Sequence, residues 1–202
     1  MPGWTRASFR RLFPWEADVY AAHLKSLTPE GRRRRFWGGV SDGALEAHAA
    51  RAIQTCHVEG CFLDGHLIGA FELFIDELGP DHAEVSLSVD PAHHRNGLGS
   101  ELIARARVRA CLLGATEIAL QIQPDNKAMI ALARQAGAPI SRTDEGLGAA
   151  LAVPRLDLRR LPLVLTQDWT SLLQALTWSV LRTRSRLFRA VRISLLATRP
   201  AG

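Results

Sequence analysis

Apolar positions recur at two spacings along this chain, and the alternation between those spacings predicts its elements. Val19, Tyr20, His23, Leu24 and Leu27 fall near helical spacing within residues 16–27, and Thr28-Pro29 ends that run. Ser41-Asp42 offers an N-cap for a second helix over residues 43–53. The charge run Arg32–Arg35 between them, before Phe36-Trp37, reads as a solvated helix face or loop. Residues 57–63 and 66–76 flank Asp64-Gly65, a type I′ hairpin signal between runs rich in Phe, Leu and Ile. Val85, Leu87 and Val89 then alternate with Glu84, Ser86 and Ser88, as a half-buried strand requires, and Pro91 stops it.

Leu98, Leu102, Ile103, Ala106, Ala110 and Leu113 form a helical stripe closed by Gly114. Ile118, Leu120 and Ile122 alternate as a strand. Asp125-Asn126 opens a helix running to about Gln135, which Gly137 closes. Residues 139–158 read as two strands around Glu145-Gly146. The order predicts an α/β fold with a mixed sheet.

Beyond Leu161-Pro162 the pattern changes. Over residues 169–196, Trp169, Leu173, Leu176, Val180, Leu187, Phe188, Val191 and Leu195 share one helical face, and Arg182, Arg186, Arg189 and Arg192 share the other. The division expected is therefore a domain over residues 1–158 and a basic amphipathic extension over residues 159–202. Only 13 residues separate Asp168 from Arg182, short of the roughly 20 that a spanning helix needs. Two uses remain for the extension: peripheral contact with an anionic membrane surface, or docking on the domain or on a second copy, which is the ordinary fate of such a helix and the one expected here.

Charge sharpens that division. Residues 155–202 hold nine Arg against Asp157 and Asp168, or +7, while residues 1–154 hold 16 Lys+Arg against 18 acids, or −2. The body thus lacks a basic working face, and nucleic acid is not an expected partner. Cys56, Cys61 and Cys111 make neither a disulfide framework nor a CxxC zinc site, and the N-terminus has no uninterrupted apolar region, so a cytoplasmic protein is expected, with membrane-peripheral contact through the extension as the variant. No His spacing of the HxxxH or HExxH kind is present, and no metal is expected.

The segment Ser86–Ser100, SLSVDPAHHRNGLGS, runs from strand through a glycine turn into a helix. Gly97 and Gly99 let the backbone approach a ligand, and successive N–H groups at a helix start favour a pyrophosphate. A P-loop would need Gly-Lys-Ser/Thr, and a dinucleotide fingerprint would need a third glycine where Leu102 stands. The spacing of Val89, Pro91, His94, Gly97 and Gly99 instead resembles the acyl-CoA loop of the GNAT superfamily, V-x-P-x-x-[Q/R]-x-x-G-x-G/A, with His94 where the family usually has Gln or Arg. Residues Asn126–Gly137 are similar to that family's N-x-x-[A/M]-x-x-L-x-x-x-x-G helix, and Leu27–Phe36 looks like the start of bacterial protein-lysine-acetyltransferase-type domains.

The resemblance covers about residues 8–155. It implies a GNAT-like, mostly antiparallel sheet flanked by helices, with acetyl-CoA or another acyl-CoA as co-substrate. It further implies transfer of an acetyl or short acyl group to an amine, either a protein lysine or a small molecule. The cofactor contacts it implies are Leu87, Ser88, Val89, His94, Arg95, Asn96, Gly97, Leu98, Gly99, Ser100 and Asn126. Glu84, at the start of the strand leading into the loop, is the base implied for the acceptor amine, with Glu72 as second choice. Many members carry a Tyr seven residues after the Asn as thiolate acid. Here that position is Ala133, which leaves water, Ser88, Asn126 or no dedicated acid, and the lone Tyr20 is expected in the core. The alternative function is a non-catalytic acyl-CoA-binding regulatory module.

Overall fold

The structure is a computed structural model that describes residue 4, residues 6–75 and 81–153, and residues 173, 176 and 177. Among the described residues, seven strands form one sheet in the order β1-β2-β3-β4-β5-β7-β6. They are β1 (Ser8–Arg11), β2 (His57–Leu63), β3 (His66–Ile75), β4 (His82–Val89), β5 (Glu117–Ile122), β6 (Ile140–Thr143) and β7 (Gly146–Ala152). Five α-helices are described with them: α1 (Ala17–Ser26), α2 (Pro29–Phe36), α3 (Asp42–Thr55), α4 (Leu98–Leu112) and α5 (Lys127–Gln135). Every neighbouring pair is antiparallel except β4–β5.

Both faces of the sheet are covered, which fits its near-continuous apolar central strands. On one face Phe71, Leu73, Ala83 and Val85 pack with Leu98, Leu102, Ile103 and Ala106 of α4. On the other Val58 and Ala70 pack with Tyr20 and Leu24 of α1 and Leu45 and Ala49 of α3. The β2–β3 hairpin turns as its sequence requires, with Asp64 at φ 48° and Gly65 at φ 80°, the two positive φ values of a type I′ turn. Ser41 caps α3 by accepting from the Ala44 N–H at 3.3 Å, and Asn126 caps α5 by accepting from the Met129 N–H at 3.2 Å.

Two elements depart from the expectation. The arginine run is a helix, α2, started by Pro29 at its first position and by Thr28, whose Oγ1 accepts from the Gly31 N–H at 3.0 Å. Its first three arginines are partly exposed, as a solvated helix face requires, and also paired: Arg32 with Asp42 at 2.8 Å, Arg33 with Glu30 at 2.9 Å and with Asp125, and Arg34 with Glu30 at 2.9 Å; Arg35 departs, its side chain largely buried against Glu72 at 2.6 Å. Strand β1 escaped sequence reading because an arginine occupies an inward position. Arg10 is buried, pairs with Glu16 at 2.6 Å, and stacks 3.9 Å over the Phe62 ring.

The proposed extension over residues 159–202 lies outside the described residues except for Leu173, Leu176 and Thr177. These three are helical, with both leucines exposed. Among the described residues no helix is long and apolar enough to cross a membrane.

Candidate acetyl-CoA cleft

Strands β4 and β5 pair only at His82–Glu117, Ala83–Ile118 and Glu84–Ala119. Past Glu84 they diverge, whereas β4 stays paired with β3 through Val89. Antiparallel pairing alternates between hydrogen-bonded and non-bonded pairs. Because the Asp90 N–H donates to the Ile68 carbonyl at 2.8 Å, the main chains of Ser88, Ser86 and Glu84 face β3, and those of Val89, Leu87 and Val85 face the gap.

That gap opens into a cleft of about 1040 Å³, at the upper end of the size of small-molecule sites. Its wall takes in His94, Arg95 and Gly97–Ser100 of the loop, the start of α5, and Trp37, Arg34, Arg35, Gln121 and Glu84.

Backbone geometry prepares the loop for an anion. Asp90 starts its 3-10 turn by accepting from the Ala92 N–H at 2.9 Å. His94 donates from Nε2 to the Val89 carbonyl at 3.0 Å, so this histidine ties the loop back to the strand end. Arg95 and Gly97 take left-handed conformations, with φ of 58° and 85°. The Leu98 N–H is satisfied by Asn96 Oδ1 at 3.3 Å. The N–H groups of Gly99 and Ser100 lie in the first turn of α4, where no helical carbonyl can receive them. Together with the helix dipole these donors could receive an anion.

Of the two glycines, Gly97 alone is required by its conformation. Gly99 serves helix packing, since a Cβ there would stand 3.2 Å from Cδ2 of Leu132 on α5.

Eleven sequence-predicted cofactor residues were Leu87, Ser88, Val89, His94–Ser100 and Asn126, and all but Asn96 line the cleft. Asn96 sits behind the loop, where its carbonyl accepts from Trp4 Nε1 at 2.9 Å. Ser88 reaches the cleft wall but commits its hydroxyl to His23. There Nε2 and Ser88 Oγ are 2.9 Å apart, and Nδ1 lies 3.1 Å from the Leu67 carbonyl. A carbonyl can only accept, so Nδ1 carries the proton and Nε2 accepts from Ser88. Burial lowers the His23 pKa to about 4 and keeps the ring neutral.

The two predicted carboxylates part company. Glu84 lines the cleft, is exposed, and is the only acidic side chain in its wall among the described residues. Glu72 lies outside the lining, buried in an ionic cluster with Arg35 Nη2 at 2.6 Å, His48 Nε2 at 2.7 Å and the Tyr20 hydroxyl. Burial by itself would raise its pKa, but Arg35 first, then His48 and Tyr20, outweigh that and hold it down to about 2. Tyr20 is pushed well above its ordinary value by burial and by Glu72. Ala133 is fully buried in the α4–α5 core.

Sequence reading missed Trp37, Gln121 and Lys127, which also line the cleft. Trp37 had a signal only in hindsight: it ends α2 with φ 60° and packs against Gly146 at the β6–β7 turn. Among the described residues no group of three His, Cys, Asp or Glu gathers as a metal site.

A strand pair splayed beside a glycine turn is a fold-level feature, and comparison with known proteins identifies it. Residues 9–138 match the model of the acetyltransferase (GNAT) family. The chain belongs to the GNAT acetyltransferase family. It is thereby an acetyl-CoA-dependent N-acetyltransferase by membership. Its fold is similar to the GNAT domain of S. lividans PAT, at 20% identity and TM-score 0.64 over 72% of this chain and 90% of that one. It is also similar to yncA from Salmonella typhimurium, solved with its cofactor acetyl-CoA, at 18% identity and TM-score 0.55 over 74% and 95% of the two chains. The PaiA N-acetyltransferase of Thermoplasma acidophilum, in complex with coenzyme A, matches at 18% identity and TM-score 0.57 over 72% and 98%. No curated protein sequence matches the chain.

Proposed function

We propose that this GNAT protein transfers an acetyl group to a primary amine, with the cofactor's pyrophosphate on the loop 94–100 and Glu84 as the base for the acceptor. The observation that carries the reading is the position of Glu84: the lone cleft carboxylate among the described residues, at the last β4–β5 pair, where the strands begin to part.

Acetyl-CoA supplies the acetyl group as a thioester, whose C–S bond breaks as the new C–N bond forms, so that CoA leaves as the thiolate. The chain's residues then have three tasks. The N–H groups of Gly97, Gly99 and Ser100, with Arg95 and Lys127 nearby in the wall, suit the phosphates. The gap-facing N–H groups of Leu87 and Val89 suit the pantetheine amides and the thioester carbonyl, whose polarisation favours attack. Glu84 takes the ammonium proton, directly or through water, so that the amine is nucleophilic.

Side-chain alternation gives the substrates separate approaches. The Glu84 side chain shares its strand face with Ser86 and Ser88, toward α1 and α2, while Val85 is buried on the α4 face. The cofactor loop opens α4, so acceptor and cofactor meet in the gap from opposite faces. Holding both together supplies much of the acceleration in such a transfer.

The acceptor end also favours a cation. Arg34 and Arg35 are neutralised by Glu30 and Glu72, leaving Glu84 as the charge that a protonated amine would meet. Lysine peptides and small alkylamines therefore lead the acceptor set. The regulatory-module reading lacks such support, because it gives Glu84 no task.

Acetyl-CoA turnover with lysine peptides and small amines, by thiol release and product mass, tests the proposal. Transfer that Glu84→Gln largely removes while CoA binding persists is the expected result. CoA binding without transfer to any amine would leave the regulatory reading standing.

A further inference from the structure

We infer that Trp4 is a positioning residue for the cofactor loop, acting through one peptide plane. The inference rests on the proposed function only in taking the loop as the pyrophosphate site.

Trp4 lies ninety-two residues from the loop in sequence, yet its indole Nε1 donates to the Asn96 carbonyl at 2.9 Å. A trans peptide is planar, so the carbonyl of one residue and the N–H of the next point in opposite directions. With the Asn96 carbonyl drawn outward to Trp4, the Gly97 N–H is turned inward, toward the cleft that Gly97 lines. No acceptor for that N–H is found among the described residues.

The restraint matters because this peptide would otherwise be free to rotate. Gly97 has no side chain to oppose a flip, and the space around its would-be Cβ is empty. Arg95, two residues earlier, already holds an uncommon left-handed φ of 58°. A flip would replace an inward donor with a carbonyl oxygen facing an anion.

Trp4 is itself held in place. The Ala7 N–H donates to the Trp4 carbonyl at 2.8 Å, a turn that leads directly into β1. The indole meets the Phe9 ring edge-on, with centroids 5.9 Å apart at 89°. Arg105 of α4 in turn stacks 3.8 Å from the Phe9 centroid. The indole is thus braced against the first strand and, through Phe9, against the helix that the loop opens.

Trp4→Phe keeps an aromatic ring beside Phe9 and deletes the N–H donor with part of the indole's contact area. The experiment is CoA titration calorimetry and full acetyl-transfer kinetics on wild type and this variant, with Trp4→Ala beside them and thermal midpoints recorded. The expected result for Trp4→Phe is a rise of about three- to tenfold in both the CoA Kd and the acetyl-CoA KM, from loss of one preorganising hydrogen bond. Its kcat and acceptor KM stay unchanged. A loosening of the whole fold would instead move kcat and both KM values together, and that outcome overturns the inference, as does an unchanged CoA Kd in both variants. Absence of CoA binding by the wild type overturns the loop reading and the inference with it.

Discussion

Arg33 and Gln123 hold each other reciprocally, joining α2 to the end of β5: Arg33 Nη1 donates to Gln123 Oε1 at 2.9 Å, and Gln123 Nε2 donates to the Arg33 carbonyl at 3.0 Å. Arg33 belongs to α2, on the side of the molecule built from β1–β4, and Gln123 immediately follows β5 on the other side. The clasp therefore spans strands that have stopped pairing with each other. Gln123→Ala removes both hydrogen bonds and leaves a partly buried carbonyl without its donor. We expect a thermal midpoint lower by a few degrees and a higher acceptor KM through α2, whose Arg34 and Arg35 line the cleft, with CoA affinity little changed, because neither residue of the clasp lines it. Equal acceptor kinetics in the variant would show that α2 keeps its place without the clasp.

Replacing Glu84 tests the chemistry itself. Glu84→Gln keeps the shape of the side chain and removes its basicity, so kcat should fall by about 10²–10⁴, the range for loss of a general base. CoA should bind as before, since the loop does not touch Glu84. Glu72→Gln offers the contrast: it disrupts a buried cluster, and its main effect should appear in stability. If turnover depended on Glu72 and not on Glu84, the assignment of the base would be wrong.

At Gly97 the decisive property is conformation, because no atom lies within 4 Å of a built Cβ. A left-handed backbone costs an ordinary residue roughly 1–2 kcal/mol, whereas Asn tolerates it through local hydrogen bonding. Gly97→Val should therefore weaken CoA binding about tenfold, the equivalent of ~1.4 kcal/mol, and Gly97→Asn by clearly less. Equal loss in both variants, measured by titration calorimetry, would point to steric exclusion of the ligand instead.

Much of this architecture was legible because the two spacings of apolar residues are clean. The Asp64-Gly65 turn, the 84–89 alternation and the stripe from Leu98 each fell where the structure has them. The glycine turn before α4 was legible because main-chain geometry demands glycine at 97. What stayed hidden depended on pairing at a distance. Arg10 looks solvent-facing until Glu16 and Phe62 close on it, and Arg35 until Glu72 does. Sequence ranked Glu84 ahead of Glu72 by its place on the strand alone, and burial and partners are what set the paired, buried Glu72 apart from the exposed Glu84. Trp4 carries no local pattern at all, because its partner is ninety-two residues away.

Acid should act on this fold in two successive windows. His23 is neutral in the folded state, with a pKa lowered from 6.5 to about 4 by burial, so the unfolded chain binds the extra proton first. Its contribution is complete above pH 6.5 and is lost as pH falls toward 4. Glu72 is held ionised, from 4.5 down to about 2, by Arg35, His48 and Tyr20 against the opposing effect of burial. Its contribution is complete above pH 4.5 and is lost as pH falls toward 2. Each shift corresponds to a change on the order of 3 kcal/mol across its window. Denaturant midpoints measured from pH 7 to pH 2.5 should decline through both. Glu72→Gln begins lower, because Arg35 loses its counter-charge, and should flatten the decline below pH 4.5 while leaving the decline between 6.5 and 4. His23→Gln should do the reverse. A variant whose midpoints run parallel to the wild type throughout would mean that the replaced residue does not carry the proton uptake of its window.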